Sequence, residues 1–349
     1  MKETIIQYNA INKIINFILK TNTSKIFVLV DHNTKEHCLP IVLRSIKADV
    51  IEIEIQAGEK HKNIKTAEFI WQQLTNLGAD RNSLLLNLGG GVITDMGGFA
   101  AATFKRGIKF INIPTTVLSM VDAAIGGKTG IDYKGLKNQI GLFTHPEMIV
   151  VYPDFIKTLP KRELKSGLAE IIKYGLIDSD NIWKYIQELD VDTIQIDENI
   201  IRESIEIKEK IVAEDPKEKG IRKTLNFGHT LGHAIETHFL TKAKEEQLLH
   251  GEAIAIGMIL AAHLSFQTQG LTIDVLENIS SNITRLYKDS IPSHFNTEDL
   301  KSILDLLKHD KKNTNGIVNF VLLTEIGKPV LDCQVSENEI LKAFLFMKI

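Results

Sequence analysis

Only two cysteines, Cys38 and Cys333, occur in 349 residues, and neither stands in a C-x-x-C pair. That scarcity excludes a disulfide framework and a cysteine-built zinc site, and it fits a reducing compartment. No apolar stretch approaches the roughly 20 residues that span a bilayer, so no membrane helix is expected. The segment that begins at Met1 has no basic region leading into a long apolar run, which reads as a cytoplasmic protein. Charge of one sign is also missing. A net charge of -3 gives no basic field for coating nucleic acid or an anionic membrane. Internal repeats, low-complexity tracts and linker-like segments are absent as well. What remains is ordinary globular composition, 44% apolar and 24% charged, in a chain long enough for two domains.

The first half alternates strand-like and helix-like stretches. Lys25–Val30 is a β-rich apolar run ending at Asp31, and a helical stretch leads from it to a second run at Val50–Ile55. After Gly58–Lys62 and an amphipathic stretch comes a third run, Ser83–Leu88, which passes directly into Gly89–Asp95 and a small-residue helix, Met96–Ala102. Glycines between a strand and a helix allow backbone amides and the helix dipole to meet a phosphate. The pattern is an imperfect G-x-G-x-x-G, and a tight structural turn accounts for it as well as a nucleotide site does. Asp31 and Glu59 fall at strand ends on one side of the expected sheet. Carboxylates there either are solvated loop acids or accept ribose hydroxyls and repel a 2′-phosphate, favouring NAD over NADP. Lys109–Pro114 reads as a further strand, with Thr115 and Thr116 at its end. In Gly126–Thr129 a P-loop is rejected, because Asp122 occupies the position of its first glycine. Lys128, close to Asp122 and Asn138, suits a small polar or phosphorylated substrate instead.

Beyond about residue 150 helical patterns dominate, with one short strand expected at Ile317–Leu323. Leu164–Gly175 carries Glu170 and Lys173 three apart on one face, for which an intrahelical ion pair is the plain reading. His229 and His233 stand four apart in a glycine-bounded segment, so a helix projects both imidazoles from one face. His250 opens a second helical run after a polar turn at Lys242–Gln247. Any one of these histidines reads alone as a satisfied core or surface residue. Three in two glycine-flanked segments point to a shared site.

Taken together, Gly89–Asp95, Phe104–Ile108, Ile113–Thr116, Gly126–Asp132, Gly167–Gly175, Leu225–Glu236 and Leu249–Glu252 resemble the motifs of the 3-dehydroquinate synthases, in order from about Asp31 to Lys312. The resemblance implies an α/β, Rossmann-like NAD-binding domain, here 1–150, and a mostly α-helical metal- and substrate-binding domain, here 151–349, with the active site in a cleft between them. It makes Glu170, His229 and His250 the ligands of one divalent metal, zinc or alternatively cobalt. His233 becomes an acid or base beside the substrate rather than a fourth ligand. Arg106, Asp122, Lys128, Asn138, Lys173, Lys208, Arg222 and Asn226 fall on substrate-contact positions, together with Lys311 or Lys312. NAD contacts are implied for Asp31; for Gly58, Glu59, Lys60, His61 and Lys62; for Gly90, Gly91, Val92, Ile93, Thr94 and Asp95; for Thr115, Thr116, Lys128 and Lys137; and for Phe155, Ile156, Lys157 and Thr158.

The family's reaction converts 3-deoxy-D-arabino-heptulosonate 7-phosphate, a phosphorylated sugar acid, to 3-dehydroquinate and phosphate on the shikimate route to aromatic amino acids. It proceeds by transient oxidation with NAD, β-elimination, reduction and aldol closure, and a homodimer is expected. Another sugar-phosphate cyclase, or a metal-dependent polyol dehydrogenase that releases NADH, shares the NAD and metal parts. A noncatalytic NAD-binding protein would have at least one site position broken. Three departures stand out: the 242–247 insertion, Thr94 where glycine is common, and Pro216 where an acid is common. Pro216 is not expected to reach the site.

Overall fold

The computed structural model describes residues 5–8, 11–134, 136–292, 294–308 and 318–347. Its contacts divide the chain into two compact units, Met1–Leu164 and Lys165–Ile349.

The first unit runs β1 (Ile5–Tyr8), α1 (Lys13–Lys20), β2 (Ile26–Asp31), α2 (His32–His37), α3 (Leu39–Ile46), β3 (Val50–Ile55), α4 (Ile64–Asn76), β4 (Leu84–Gly89), α5 (Gly91–Thr103), β5 (Lys109–Pro114), β6 (Lys128–Tyr133), β7 (Leu136–Phe143) and β8 (Met148–Val151). The strands expected from sequence at Lys25–Val30, Val50–Ile55, Ser83–Leu88 and Lys109–Pro114 are β2 to β5. Six strands make one parallel sheet in the order β1-β8-β5-β4-β2-β3. Burial along β2 and β4 explains their unbroken apolar runs, since a strand covered on both faces has no polar side to alternate with. The chain places β3 on one side of β2 and β4 on the other. Such a reversal opens a crevice at the carboxyl ends of the two inner strands.

Helix α5 approaches the sheet closely where Gly97 and Gly98 carry no side chain. A Cβ at Gly97 would stand 1.9 Å from Asn87 Oδ1, and one at Gly98 2.5 Å from Thr129 Cγ2. Asn87 cannot readily yield, because its Nδ2 donates to Asn112 Oδ1 at 2.9 Å in the buried sheet. Around this contact Phe27, Leu29, Leu85, Ile93, Met96 and Phe99 form one apolar core.

Helix α6 (Lys161–Ile177) leads into the second unit, which continues through α7 (Asp180–Glu188), α8 (Glu198–Glu214), α9 (His229–Phe239), α10 (His250–Thr268), α11 (Ile273–Tyr287), α12 (Thr297–Lys308), the antiparallel pair β9 (Asn319–Glu325) and β10 (Lys328–Gln334), and α13 (Glu337–Phe346). The late strand expected at Ile317–Leu323 is β9; Ile317 itself lies outside the described residues. Helix α10 is apolar on all sides and buried through most of its length, as the central helix of a packed unit must be. It touches α9, α11, α13 and β9. The far end of α9 is fastened to α12, where His238 Nε2 lies 2.8 Å from Asp299 Oδ1 and Nδ1 lies 2.9 Å from Ser302 Oγ. No helix among the described residues is long and apolar enough to cross a membrane.

Gly97→Ala should therefore lower stability by about 1–3 kcal/mol, the usual cost of forcing extra volume into a packed interface. Urea unfolding measures it; an unchanged midpoint would mean that the α5–β4 spacing is not set at Gly97.

Candidate functional site

The second unit gathers a charged cluster where three helices approach each other unusually closely. Helix α6 supplies Glu170, fully buried, and Lys173 one turn later, whose Nζ pairs with Glu170 Oε2. Helix α9 begins at His229 after Gly228, whose φ of 74° only glycine adopts without strain. Helix α10 begins at His250 and abuts α6 at the next residue: a Cβ on Gly251 would lie 1.9 Å from the Ser166 carbonyl oxygen. The Gly251 amide donates to Ser166 Oγ at 3.0 Å, satisfying one of the free N–H groups of the helix start. Gly257 allows the same intimacy with α9, since a Cβ there would meet the Gly228 carbonyl oxygen at 2.0 Å.

These contacts bring His229 Nε2 to 3.2 Å and His250 Nε2 to 3.6 Å from Glu170 Oε1. Neither contact has hydrogen-bond geometry, and that buried oxygen has no hydrogen-bond partner among the described residues. Each imidazole is oriented through its other nitrogen. His229 Nδ1 lies 3.0 Å from the Phe227 carbonyl, and His250 Nδ1 lies 3.2 Å from Glu236 Oε2. Anchoring Nδ1 in this way leaves Nε2 to face a shared point. His233 joins them: ligand atoms of His229, His233 and His250 lie within 4.8 Å of one another. Burial would raise the Glu170 carboxyl, but Lys173 and then His229 hold it well below the usual carboxylate range. Burial pushes His229 down, toward the neutral form that binds metals. It also opposes the charged form of His250, yet Glu236 and Glu170 together raise that imidazole to about 9. An oxygen without a partner and convergent imidazole nitrogens are a donor set that fits a divalent ion such as zinc.

Sequence reasoning assigned Glu236 no role, although a signal existed: it follows His229 by seven residues and so shares its helix face. Upstream, Arg222 and Asn226 lie in the short helical turn Ile221–Asn226 that leads into α9. Arg222 is buried, and its Nη1 donates to the Pro216 carbonyl at 2.8 Å. Pro216 thus contributes through its backbone, which no side-chain pattern reveals. Lys208 is buried on α8. Lys311 and Lys312 lie outside the described residues.

In the first unit, Asp31, Gly89, Thr115 and the Phe155–Thr158 stretch all follow the carboxyl ends of parallel strands, so they share one sheet edge. Asp31 Oδ1 accepts the Thr34 amide at 2.9 Å and caps α2. Gly90 caps α5, with Gly91, Val92, Ile93, Thr94 and Asp95 in its first turns. A Cβ on Gly90 would press Thr116 Cγ2 at 3.1 Å. Ser119, which the sequence reading passed over, holds Thr116 through its hydroxyl at 3.0 Å.

Glu59, Lys60 and His61 form a short turn after Gly58. Lys62 is buried beside it, its Nζ 2.6 Å from both Asp95 Oδ2 and Asn138 Oδ1. Lys137 Nζ stands 3.5 Å from Glu59 Oε1, so the β6–β7 hairpin is tied to this turn. Lys128 is exposed at the start of β6, and Asp122 is half-buried in the turn Ser119–Ala123. Of the stretch after β8, Phe155 is buried against Tyr152, Ile156 is half-buried, and Lys157 and Thr158 are exposed. Arg106 is exposed and precedes β5, at the opposite sheet edge, so its own unit does not bring it to the others.

Gly251→Ala should push the first turn of α10 away from α6 and part His250 from Glu170. We expect metal affinity, measured by competition with a zinc chelator, to fall at least about tenfold, the lower end for disturbed ligand orientation. Unchanged affinity would refute this role for the glycine contact.

Comparison with known proteins covers both units. The family model described as 3-dehydroquinate synthase N-terminal matches residues 52–166, and the one described as 3-dehydroquinate synthase C-terminal matches 167–313. The 3-dehydroquinate synthase of Parabacteroides distasonis is 43% identical over 339 residues, covering 95% of this chain and 94% of the relative. That of Campylobacter jejuni subsp. doylei is 39% identical over 328 residues, covering 91% of each. Among solved structures, a 2-epi-5-epi-valiolone synthase from Streptomyces hygroscopicus, with NAD+ and Zn2+ bound, superposes with a TM-score of 0.85 at 25% identity, over 99% of this chain and 96% of that one. A 2-deoxy-scyllo-inosose synthase complexed with carbaglucose-6-phosphate, NAD+ and Co2+ gives 0.85 at 24%, over 98% and 95%, a likeness of fold.

Proposed function

The chain belongs to the 3-dehydroquinate synthase family, and we propose the following division of that family's reaction among its residues. It is an enzyme that converts 3-deoxy-D-arabino-heptulosonate 7-phosphate to 3-dehydroquinate and phosphate, with NAD and one divalent metal ion. NAD, when bound, would supply a reversible hydride acceptor, and the divalent ion a Lewis acid that would make a substrate hydroxyl easier to deprotonate.

Glu170, His229 and His250 hold the metal. The observation that carries this reading is the convergence of two anchored imidazoles on a buried Glu170 oxygen that has no hydrogen-bond partner among the described residues. His233, beside them, exchanges a proton with the substrate. Lys173 keeps Glu170 ionised and stands one turn away to meet the substrate. Lys128, Lys208 and Arg222 supply positive charge for its carboxylate and phosphate, helped by Asp122, Asn138, Asn226 and Lys311 or Lys312; Arg106, at the opposite sheet edge, is left out of this set. The guanidinium of Arg222 takes the carboxylate through paired hydrogen bonds. NAD lies on the sheet edge of the first unit, along Asp31, Glu59, Gly90–Asp95 and Thr115. Elimination of phosphate makes the enzyme a carbon–oxygen lyase, and its place is the cytoplasm.

With NAD and zinc, the chain should release phosphate from the heptulosonate 7-phosphate far faster than from sedoheptulose 7-phosphate or glucose 6-phosphate, which lack the acid. The acid gains charge-assisted hydrogen bonds from the Arg222 guanidinium that a neutral head cannot make. His250→Ala should lose most of its metal and turnover. Comparable use of a neutral-headed sugar phosphate would move the chain to another cyclase branch, and full metal with normal turnover in the variant would remove His250 from the ligand set.

We also read the chain as a homodimer. Strand β7 exposes Leu136, Ile140, Leu142 and Phe143, the last at 64%. A second copy offering the same face would cover both patches, as twofold symmetry requires. Sedimentation equilibrium should give twice the 39.2 kDa chain mass. A monomer at micromolar concentration would refute this.

A further inference from the structure

The turn ahead of Arg222 is more ordered than a connection between two helices requires. Helix α8 ends at Glu214, and the Glu218 amide donates to the Asp215 carbonyl at 3.3 Å, closing a turn with Asp first and Pro second, the positions each favours. The Asp215 carboxylate then collects three amides from the segment that follows. Oδ1 accepts from Lys219 at 3.0 Å, and Oδ2 accepts from Gly220 at 2.6 Å and from Arg222 at 3.2 Å. These amides, that of Lys219 foremost, hold the carboxyl below its usual range.

The same turn grips the side chains beyond it. Pro216 offers its carbonyl to Arg222 Nη1 at 2.8 Å, and Glu218, held at a φ of 57°, accepts Asn226 Nδ2 on Oε1 at 2.7 Å. From the other side Lys223 Nζ is fixed to Asp332 at 2.8 and 2.9 Å. The backbone of Arg222 and one end of its guanidinium are therefore held by two adjacent residues, Asp215 and Pro216, and Asp215 is the group that folds the turn. A guanidinium already held in place has less rotational freedom to lose when an anion arrives.

We propose that Asp215 is a positioning residue for the acid group of the substrate: by folding the 215–222 turn it sets the orientation of Arg222 and Asn226. The inference rests on the reading of Arg222 as the carboxylate partner. Contact between a fixed guanidinium and a carboxylate that does not react is equally strong in the ground and transition states, so its loss moves KM rather than kcat.

The test uses the NAD- and zinc-loaded enzyme with Asp215→Ala, Asp215→Asn, Arg222→Ala and the double variant Asp215→Ala/Arg222→Ala. Asp215→Ala should raise KM for the heptulosonate 7-phosphate by roughly tenfold with kcat within about threefold, and Asp215→Asn, which keeps one acceptor oxygen, should fall between it and the native chain. Metal content and the dissociation constant for NAD should stay at their native values. Because Asp215 acts through Arg222, the double variant should have the KM of Arg222→Ala alone. If Asp215→Ala does not fold, Asp215→Asn decides the matter through a KM raised severalfold. An unchanged KM in the Asp215 variants beside a raised KM in Arg222→Ala would overturn the proposal, as would loss of metal or additive effects in the double variant. An unchanged KM in Arg222→Ala would overturn the carboxylate reading first, and this inference with it.

Discussion

A carboxylate withdrawn from water must be met by positive charge at close range, and in the second unit that carboxylate is Glu170. Left uncompensated, its burial would cost several kcal/mol. Lys173 on the same helix answers one oxygen. The other faces two imidazoles delivered by different helices, and they arrive only because Gly228, Gly251 and Gly257 let backbone approach backbone. The glycines around the histidine motifs are thus part of the centre's geometry, although none has a side chain to offer it.

The first unit uses glycine for two separate ends. At Gly97 and Gly98 the missing side chain lets α5 sit on the sheet, which is packing alone. At Gly90 and Gly91 the helix starts beside Thr116 at a strand end next to the topological reversal, where exposed amides and a helix dipole meet.

The parallel strands and most helices were legible because burial leaves a mark in the sequence: β2 and β4 are nearly continuous apolar runs, β3 alternates apolar and acidic residues, and α10 is an apolar run too long for a strand. The β6–β7 hairpin was not, since β7 is exposed along nearly its whole length, left-handed Lys134 sits in its turn and left-handed Asn138 interrupts the strand itself, so no alternating pattern exists to read. Short β1 and β8 owe their existence to partners remote in sequence, Ile5 pairing with Met148. At the site, the residues with chemical side chains were recognisable by type and spacing. What escaped were the groups that orient them: Glu236, whose partner is in another helix, Ser119, and the carbonyls of Phe227 and Pro216, which any residue type would supply.

The spacing of the charged cluster along the chain bears on how the protein is made. Glu170 leaves the ribosome eighty residues before His250. At ordinary rates of synthesis, about 10 residues per second, that interval is roughly 8 seconds. For most of it α6 has Lys173 but neither imidazole, since His229 follows Glu170 by 59 residues, and its glutamate stays cheaper in water than in a core. Helix α6 thus has reason to remain undocked until α9 and α10 exist. By then the parallel sheet, from β1 at Ile5 to β8 at Val151, has been fully synthesised and is free to form. The order of synthesis therefore lets the first unit fold before the charged cluster of the second is complete, and any ion that the cluster holds can meet its full donor set only after His250 has been made.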